Sequence, residues 1–313
     1  KKAGCRGLFG ADMAQEDTLQ GLFSGAVARL FSYARPMIPP ELQGGSTLRV
    51  GSVPYLVARP LNFGLEAEPN IDLSFDVPAR LIERLRSGEL DVALVSSIEL
   101  FRRPGYSYLA GLAVSGKGYV GSVQLFLKKP LAEVRTIALD PASRTAQALV
   151  QVLAHIDPEL PSDLNFTEVP LGQDPRATDC DAWLRIGDPA MFELLGESIP
   201  YYNPSEAWAR ITGLPFVFAA WIVRPGLSAT DLAPQLPAFH SAAKRGASRA
   251  TAMAEAAAAD WGLPPAEIVS YLTEECQHTI DPSVQARAIE LFGAYAKRHG
   301  LATESDPPAA IHR

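Results

Sequence analysis

The chain of 313 residues has few cysteines, and no two of them stand at metal-binding spacing. Its three thiols, Cys5, Cys180 and Cys276, lie far apart and are odd in number. A zinc centre or a disulfide framework needs cysteines at matched spacings, so neither is expected. Scattered free thiols are typical of a reducing compartment, which predicts a cytoplasmic location.

Motifs for metals and nucleotides are missing too. The five histidines show no ligand spacing and are expected in helices or in the tail: His155, His240, His278, His299 and His312. Neither a Gly-x-Gly-x-x-Gly run nor a phosphate-binding loop is present, so no nucleotide motif supports a cofactor. We therefore expect a protein that works without metal or cofactor.

Long apolar runs and an excess of positive charge are also lacking. No run reaches the roughly 20 residues of a membrane helix, and Asp12, Glu16 and Asp17 interrupt the stretch that an export signal would need. The formal net charge of -7 argues against nucleic acid or an anionic membrane as a partner. A small anionic substrate stays compatible, and the oligomeric state is left open.

Short apolar segments alternate with helical patterns along most of the chain. Such alternation of continuously apolar strands with helices is typical of an α/β fold with parallel, covered sheets. Two further helices are predicted to begin at Asn203-Pro204 and Asp281-Pro282, where a capping residue precedes proline. The predicted strands span 48–53, 91–95, 123–127, 136–139, 182–186 and 216–222, and helices are predicted at 78–86, 98–102 and 145–154.

This layout predicts two α/β lobes that the chain crosses between twice. Residues 48–125 would form the first lobe, completed by residues 220–302, which read as almost entirely helical from 228 to 301. Residues 126–219 would form the second lobe. Residues 1–47 would be an N-terminal extension and 303–313 a C-terminal tail. Folds of this kind bind ligands in the cleft, at the carboxyl ends of strands.

Four segments rich in small hydrogen-bonding residues lie at predicted strand ends. Helix N-termini there offer free N–H groups to a carboxylate, and Arg144 would add a charge-assisted contact. Ser122 and residues 143–145 are expected to face each other across the cleft. Any one segment is explained better by helix capping, but the convergence of four favours a binding site. The predicted substrate-binding residues are Ser52, Tyr55, Ser96, Ser97, Gly121, Ser122, Ser143, Arg144, Thr145 and Asp188.

Asp188 is the one candidate for acid–base chemistry, since it follows a predicted strand. It would orient a substrate hydroxyl, act as acid or base, or cap a helix, and the structural role is favoured. No catalytic residue is otherwise assigned. Tyr55 and Trp221 are candidates for the cleft wall, although aromatic side chains more often belong to the core.

Several longer runs match one family pattern. The more specific are Ser96-Ser97-Ile98-Glu99 and the run from Thr212 to Ala219; the runs at 49–61, 78–81, 88–95, 121–123, 143–145 and 186–190 and Trp208 add to them. Together they resemble the chorismate dehydratases of the futalosine route to menaquinone, over about residues 48–225. The resemblance implies a two-lobed fold like type II periplasmic binding proteins. It also implies a cofactor-independent hydro-lyase that converts the dicarboxylate chorismate to 3-[(1-carboxyvinyl)oxy]benzoate and water.

One position departs from the family pattern. Where the family has asparagine, this chain has Val57, which neither donates nor accepts a hydrogen bond. Two alternatives therefore stay open: a small carboxylate-binding protein for transport or sensing, and a diverged paralogue such as dihydroxynaphthoate synthase. That sister family has a Ser-Pro-Cys-Pro-Asn-Asp opening and a histidine near the Gly187 position, and this chain has neither.

Overall fold

The structure is a computed structural model that describes residues 47–303 and 307–312. All but the last residue of the predicted extension, 1–47, lies outside the described residues. Twelve strands organise the described chain. They are β1 (Leu48–Ser52), β2 (Ile71–Phe75), β3 (Val92–Ser96), β4 (Ser107–Gly116), β5 (Val123–Leu127), β6 (Thr136–Leu139), β7 (Asn165–Glu168), β8 (Ala182–Ile186), β9 (Tyr201–Tyr202), β10 (Phe216–Val223), β11 (Cys276–Thr279) and β12 (Ala309–Ile311).

The strands form two sheets, one in each lobe. The first has the order β11-β4-β10-β3-β1-β2, with β12 beside β4, and the second has the order β7-β6-β8-β5-β9. Strand β1 runs parallel to β2 and β3, but β10 is antiparallel to both β3 and β4. In the second sheet β6 is parallel to β8 and β5 is antiparallel to it. The expectation of parallel sheets is therefore wrong, because both sheets are mixed.

The points where the chain changes lobe differ from the predicted ones. Strand β5 pairs along its whole length with β8 of the second sheet, although residues 123–125 were assigned to the first lobe. Strand β10 pairs with β3 and β4 of the first sheet, although residues 216–219 were assigned to the second. The crossings thus lie at 117–122 and 213–215. Both apolar strands look alike in sequence whichever sheet they join, which explains the misplacement.

In the described part of the chain, ten α-helices pack around these sheets. Asn203 accepts a hydrogen bond from the Glu206 N–H, and Asp281 accepts from Ser283 and Val284, so both predicted helix starts are confirmed. No helix of the described residues is long and apolar enough to cross a bilayer. The helices are α1 (Arg59–Asn62), α2 (Pro78–Arg86), α3 (Arg144–Ile156), α4 (Asp188–Gly196), α5 (Pro204–Thr212), α6 (Ala229–Leu232), α7 (Leu236–Ala247), α8 (Ala250–Trp261), α9 (Pro265–Ser270) and α10 (Pro282–Arg298).

The C-terminal part is less helical than predicted. A π-helical turn, Tyr271–Glu275, leads into β11, which pairs with β4. His278 therefore lies on a strand, against the expectation that the histidines lie in helices or the tail. The predicted tail, 303–313, contains β12, which runs parallel to β4 from Ala309 to Ile311.

The two lobes share packed side chains away from the cleft. Trp208 of α5 is fully buried, and its ring centroid lies 5.3 Å from Phe216 of β10 and 6.0 Å from Phe292 of α10.

Helix α7 approaches α1 closely, since a Cβ built on Gly246 would lie 2.0 Å from the carbonyl oxygen of Pro60. Glycine is the residue type that permits this contact.

Candidate active site

A cavity lies between the lobes, a position typical of small-molecule sites. We call it the inner cavity. Its walls come from the ends of β1, β3, β4 and β10 on one side and from the ends of β5, β6 and β8 on the other. It is lined by Val53, Tyr55, Val57, Pro78, Leu94, Val95, Ser96, Val114, Ser115, Val120, Ser122, Val123, Ala142, Ser143, Ile186, Gly187, Phe218, Ala219 and Cys276.

Four of the predicted binding residues line this cavity: Tyr55, Ser96, Ser122 and Ser143. Ser143 also caps α3, because its hydroxyl accepts from the N–H of Ala146 at 3.2 Å. Burial raises the pKa of Tyr55 to about 12, and the charge of Asp188 adds to the effect. The tyrosine is therefore a neutral hydroxyl at ordinary pH.

Ser122 and Ser143 do not face each other across the cleft. Ser143 follows β6, and Ser122 precedes β5 with its carbonyl accepting from the Gly187 N–H at 2.8 Å. Since β8 separates β5 from β6 in one sheet, the three positions share one edge of the second lobe. The predicted arrangement is wrong for this reason, although both hydroxyls reach the same cavity.

Three predicted residues instead hold the walls together. Each is fully or almost fully buried and bonded to the protein. The Ser52 hydroxyl accepts from the Asn62 amide at 3.0 Å. The Ser97 hydroxyl donates to the carbonyl of Val217 at 2.6 Å. The Thr145 hydroxyl accepts from the Ile98 N–H at 3.1 Å, and this bond joins the two lobes.

Gly121 lies at the first lobe crossing beside a carboxylate. Its N–H donates to Oε2 of Glu275 at 2.7 Å, so the glycine anchors the crossing to the turn that precedes β11. Burial raises the pKa of the Glu275 carboxyl, and the Gly121 N–H opposes the shift. Gly121 is not among the residues that line the inner cavity.

Asp188 lies directly behind the cavity wall, one residue after Gly187. Burial raises the pKa of its carboxyl to about 6, against the charge of Arg59 and a hydrogen bond from the Leu56 N–H. These two partners belong to the first lobe and Asp188 to the second, so the carboxylate contacts the opposite lobe. Its Oδ1 has no hydrogen-bond partner in the described chain. The arrangement suits an interlobe contact and leaves one oxygen available for acid–base work.

Val57, the departure from the family pattern, lies on the inner wall. Its carbonyl accepts a hydrogen bond from Nε2 of His278 at 2.8 Å, which fixes the loop after β1 against β11. Burial lowers the pKa of His278 to about 4, so the ring is neutral at pH 7. The neutral ring thus supports the cavity wall by packing and by donating its Nε2–H to the Val57 carbonyl.

Sequence reasoning missed several wall residues. Ser115 and Cys276 lie on strands that were not predicted, β4 and β11, whereas Phe218 lies in the predicted strand at 216–222 within the family-like run. Of these three residues, only Phe218 could have been found from the sequence, because it lies in that run. Trp221 is fully buried against Phe239, with ring centroids 5.1 Å apart, which confirms that it belongs to the core.

Arg144 lies outside the inner cavity, in a second cavity that adjoins it. We call this the outer cavity; it shares Pro78, Ser96 and Ala142 with the inner one. The guanidinium of Arg144 donates to the Gln147 side chain at 3.1 Å and lies 3.7 Å from the exposed Glu168 carboxylate. Any contact of Arg144 with a ligand would therefore occur at this outer position.

Comparison with known proteins gives the fold. A crystallised protein from Archaeoglobus fulgidus superposes with a TM-score of 0.64 at 17% identity, covering 82% of this chain and 98% of that one. The alkanesulfonate-binding protein of Xanthomonas axonopodis pv. citri superposes with a TM-score of 0.60 at 18% identity, covering 87% and 96%. The periplasmic aliphatic sulphonate binding protein of Escherichia coli gives 0.58 at 15%, covering 86% and 96%. The predicted periplasmic-binding-protein-like fold is confirmed.

Sequence comparison gives the family. The chain is 31% identical over 226 residues to the chorismate dehydratase of Thermus thermophilus, covering 66% of this chain and 80% of that protein. It is 25% identical over 176 residues to the chorismate dehydratase of Campylobacter jejuni, covering 54% and 64%. Residues 48–298 match the family described as menaquinone biosynthesis. The chain therefore belongs to this menaquinone biosynthesis family, as its motifs predicted.

Proposed function

We propose that the protein is a chorismate dehydratase, which converts chorismate to 3-[(1-carboxyvinyl)oxy]benzoate and water without a cofactor. Family membership supports the substrate class. The structural observation that carries the proposal is the inner cavity, where four serine hydroxyls, those of Ser96, Ser115, Ser122 and Ser143, stand among largely aliphatic walls. Such a lining suits a small ring with polar substituents.

The proposed reaction requires few protein groups. A proton leaves the ring carbon that bears the enolpyruvyl ether, the hydroxyl leaves the neighbouring carbon, and the two depart as water while the ring becomes aromatic. Aromatisation drives the reaction, so the protein has to orient the substrate, exclude water and provide a base. The hydroxyls of Ser96, Ser122 and Ser143 supply the orienting hydrogen bonds, whereas the Ser115 hydroxyl donates to the Gln277 carbonyl at 3.2 Å.

The base is the substrate's own enolpyruvyl carboxylate in our proposal. Among the described residues that line the inner cavity there is no carboxylate, histidine or lysine. Apolar surroundings raise the pKa of a carboxyl group, which strengthens a bound carboxylate as a base. Asp188 behind the wall is the alternative base. An Asp188→Asn variant that turns over chorismate at an undiminished rate would favour the substrate carboxylate.

The decisive experiment is incubation of the purified, chelator-treated protein with chorismate. We expect loss of chorismate and formation of the aromatic product, followed by absorbance and identified by mass, with no added metal or nucleotide. A heat-denatured sample serves as the control. Protein that remains folded, as judged by circular dichroism, but leaves chorismate unchanged would contradict the proposal.

The second candidate function is binding of a carboxylate without turnover, by a diverged member of the family. One observation favours it: Val57 presents an aliphatic side chain to the cavity where the family pattern has an amide. A binding protein would retain chorismate unchanged in equilibrium dialysis. An enzyme would return the aromatic product from the same sample.

A further inference from the structure

The outer cavity is lined by as many glutamates as arginines, but one of its arginines forms no ion pair with the described residues. It is lined by three arginines, Arg86, Arg102 and Arg144, together with glutamates that pair with two of them. Arg86 makes a bidentate ion pair with Glu99, with both N–O distances at 2.7 Å, and the Glu99 side chain is almost completely buried. In this bidentate pair both Glu99 oxygens are already bonded, so a ligand carboxylate would have to displace Glu99 from Arg86 at a cost.

Arg102 is different, because its side chain has no hydrogen-bond or ion-pair partner among the described residues. Within residues 47–303 and 307–312 no carboxylate lies at ion-pair distance from its guanidinium, and the side chain makes no hydrogen bond there. The residue is nevertheless only partly exposed. Burial lowers the pKa of this guanidinium; the charge of Glu99 opposes the shift, and the positive charge of Arg144 adds to it. A partly desolvated, unpaired cation is unfavourable unless an anion joins it.

Arg102 and Arg144 belong to opposite lobes. Arg102 follows the 3-10 helix Ser97–Phe101 of the first lobe, and Arg144 begins α3 of the second. The bond from the Ile98 N–H to Thr145 joins these two elements at 3.1 Å. The guanidiniums therefore stand on either side of a fixed interlobe contact, where one bound anion reaches both lobes.

The inner cavity lacks what the outer one provides. Its described lining residues include no lysine or arginine, so a dicarboxylate held entirely inside would bring two negative charges to aliphatic walls. The shared wall, Pro78, Ser96 and Ala142, puts the outer cavity within reach of a ligand seated in the inner one. A charge-assisted hydrogen bond to Arg102 offsets the desolvation of one carboxylate.

We propose that the outer cavity is a carboxylate subsite in which Arg102, assisted by Arg144, binds one of the two carboxylates of a ligand whose ring occupies the inner cavity. The identity of the natural ligand rests on the proposed function. The subsite itself would accept any aromatic 1,3-dicarboxylate.

The test uses isophthalate as the dicarboxylate and isophthalamide as its uncharged analogue, measured by isothermal titration calorimetry. The variants are Arg102→Gln, Arg102→Lys and a control, Arg287→Gln, which removes the same charge from an exposed position on α10. We expect Arg102→Gln to weaken isophthalate binding about tenfold or more and to change isophthalamide binding much less. Arg102→Lys should be intermediate, and the control should match the parent. Melting temperatures check that each variant is folded.

Two results overturn the subsite: a parent protein that does not bind isophthalate at millimolar concentration, or an Arg102→Gln variant that binds it like the parent. Turnover separates this outcome from the enzyme proposal. If chorismate is not converted but Arg102→Gln still loses isophthalate, the subsite stands and the dehydratase proposal fails. If chorismate is converted and Arg102→Gln leaves KM unchanged, the enzyme stands and the subsite fails.

Discussion

His278 makes the stability of the protein sensitive to acid. The side chain is 8% exposed, and burial lowers its pKa from 6.5 to about 4, against the hydrogen bond to Val57. The His278 imidazole therefore takes up a proton near pH 6.5 in the unfolded chain, but only near pH 4 in the folded protein. Stability from this residue is complete at pH 7 and is lost as the pH falls through that window.

The magnitude follows from the two pKa values. At pH 5 the unfolded imidazole is almost fully protonated and the folded one is almost fully neutral. With 1.36 kcal/mol for each pKa unit, the free energy of unfolding falls by about 2 kcal/mol between pH 7 and pH 5. Asp188 acts with the opposite sign, because burial raises the pKa of its carboxyl to about 6, so the total change is smaller than the His278 contribution alone.

A matched variant isolates the histidine. His278→Gln keeps an N–H for the Val57 carbonyl but does not titrate, and His312→Gln removes an exposed histidine as the control. Urea unfolding followed by tryptophan fluorescence at pH 7 and pH 5 gives the free energies. We expect His278→Gln to lose about 2 kcal/mol less than the parent on acidification. Parallel losses in parent and variant would refute the assignment of the low pKa to His278.

Three further predictions concern the wall, the packing and the crossing. Val57→Asn should leave kcat/KM for chorismate unchanged or raise it up to about tenfold, the effect of one neutral hydrogen bond; turnover found only in the variant would show that the native ligand is a different one. Gly246→Ala should lower the melting temperature, because its Cβ would meet the carbonyl oxygen of Pro60 at 2.0 Å, and an unchanged value would contradict the close approach. Asn203→Ala should cost about 1–3 kcal/mol in urea unfolding, since its side chain caps α5 and donates to the carbonyl of Val120 at 3.0 Å; a loss below this range would show that the cap is dispensable.

Local signals in the sequence predicted the helix starts well. The Asn203-Pro204 and Asp281-Pro282 pairs act within one helical turn, so a single short segment contains the whole interaction. Strand β4 gave no comparable signal, because it contains Gly111 with φ of +80° and several small residues. The lobe crossings were misplaced because β5 and β10 are apolar whichever sheet they join. Pairing partners lie far along the chain and leave no mark in the strand itself.

The candidate site was predictable only in part, for a related reason. Ser96 and Ser97 are neighbours of one residue type, yet Ser96 lines the inner cavity while Ser97 donates to Val217, 120 residues away. Which hydroxyl is free for a ligand depends on such distant acceptors. Asp188 was a candidate by its place after a strand, but its raised pKa comes from burial against the first lobe. The position of a residue at a strand end therefore predicts that it lies near the candidate site. Its long-range contacts determine whether it faces a ligand or holds the structure together.

The division of the cleft into two cavities bears on how a carboxylate can act as a base. Pairing with a guanidinium lowers the pKa of a carboxyl, whereas burial among aliphatic groups raises it. The two carboxylates of one substrate would therefore differ further in basicity, one beside Arg102 in the outer cavity and the other among the aliphatic side chains of the inner cavity. The outer carboxylate would supply binding and stay ionised, and the inner one would be the better proton acceptor. A protein built this way needs no basic side chain at the reacting carbon, which fits the aliphatic and hydroxyl character of the described inner wall.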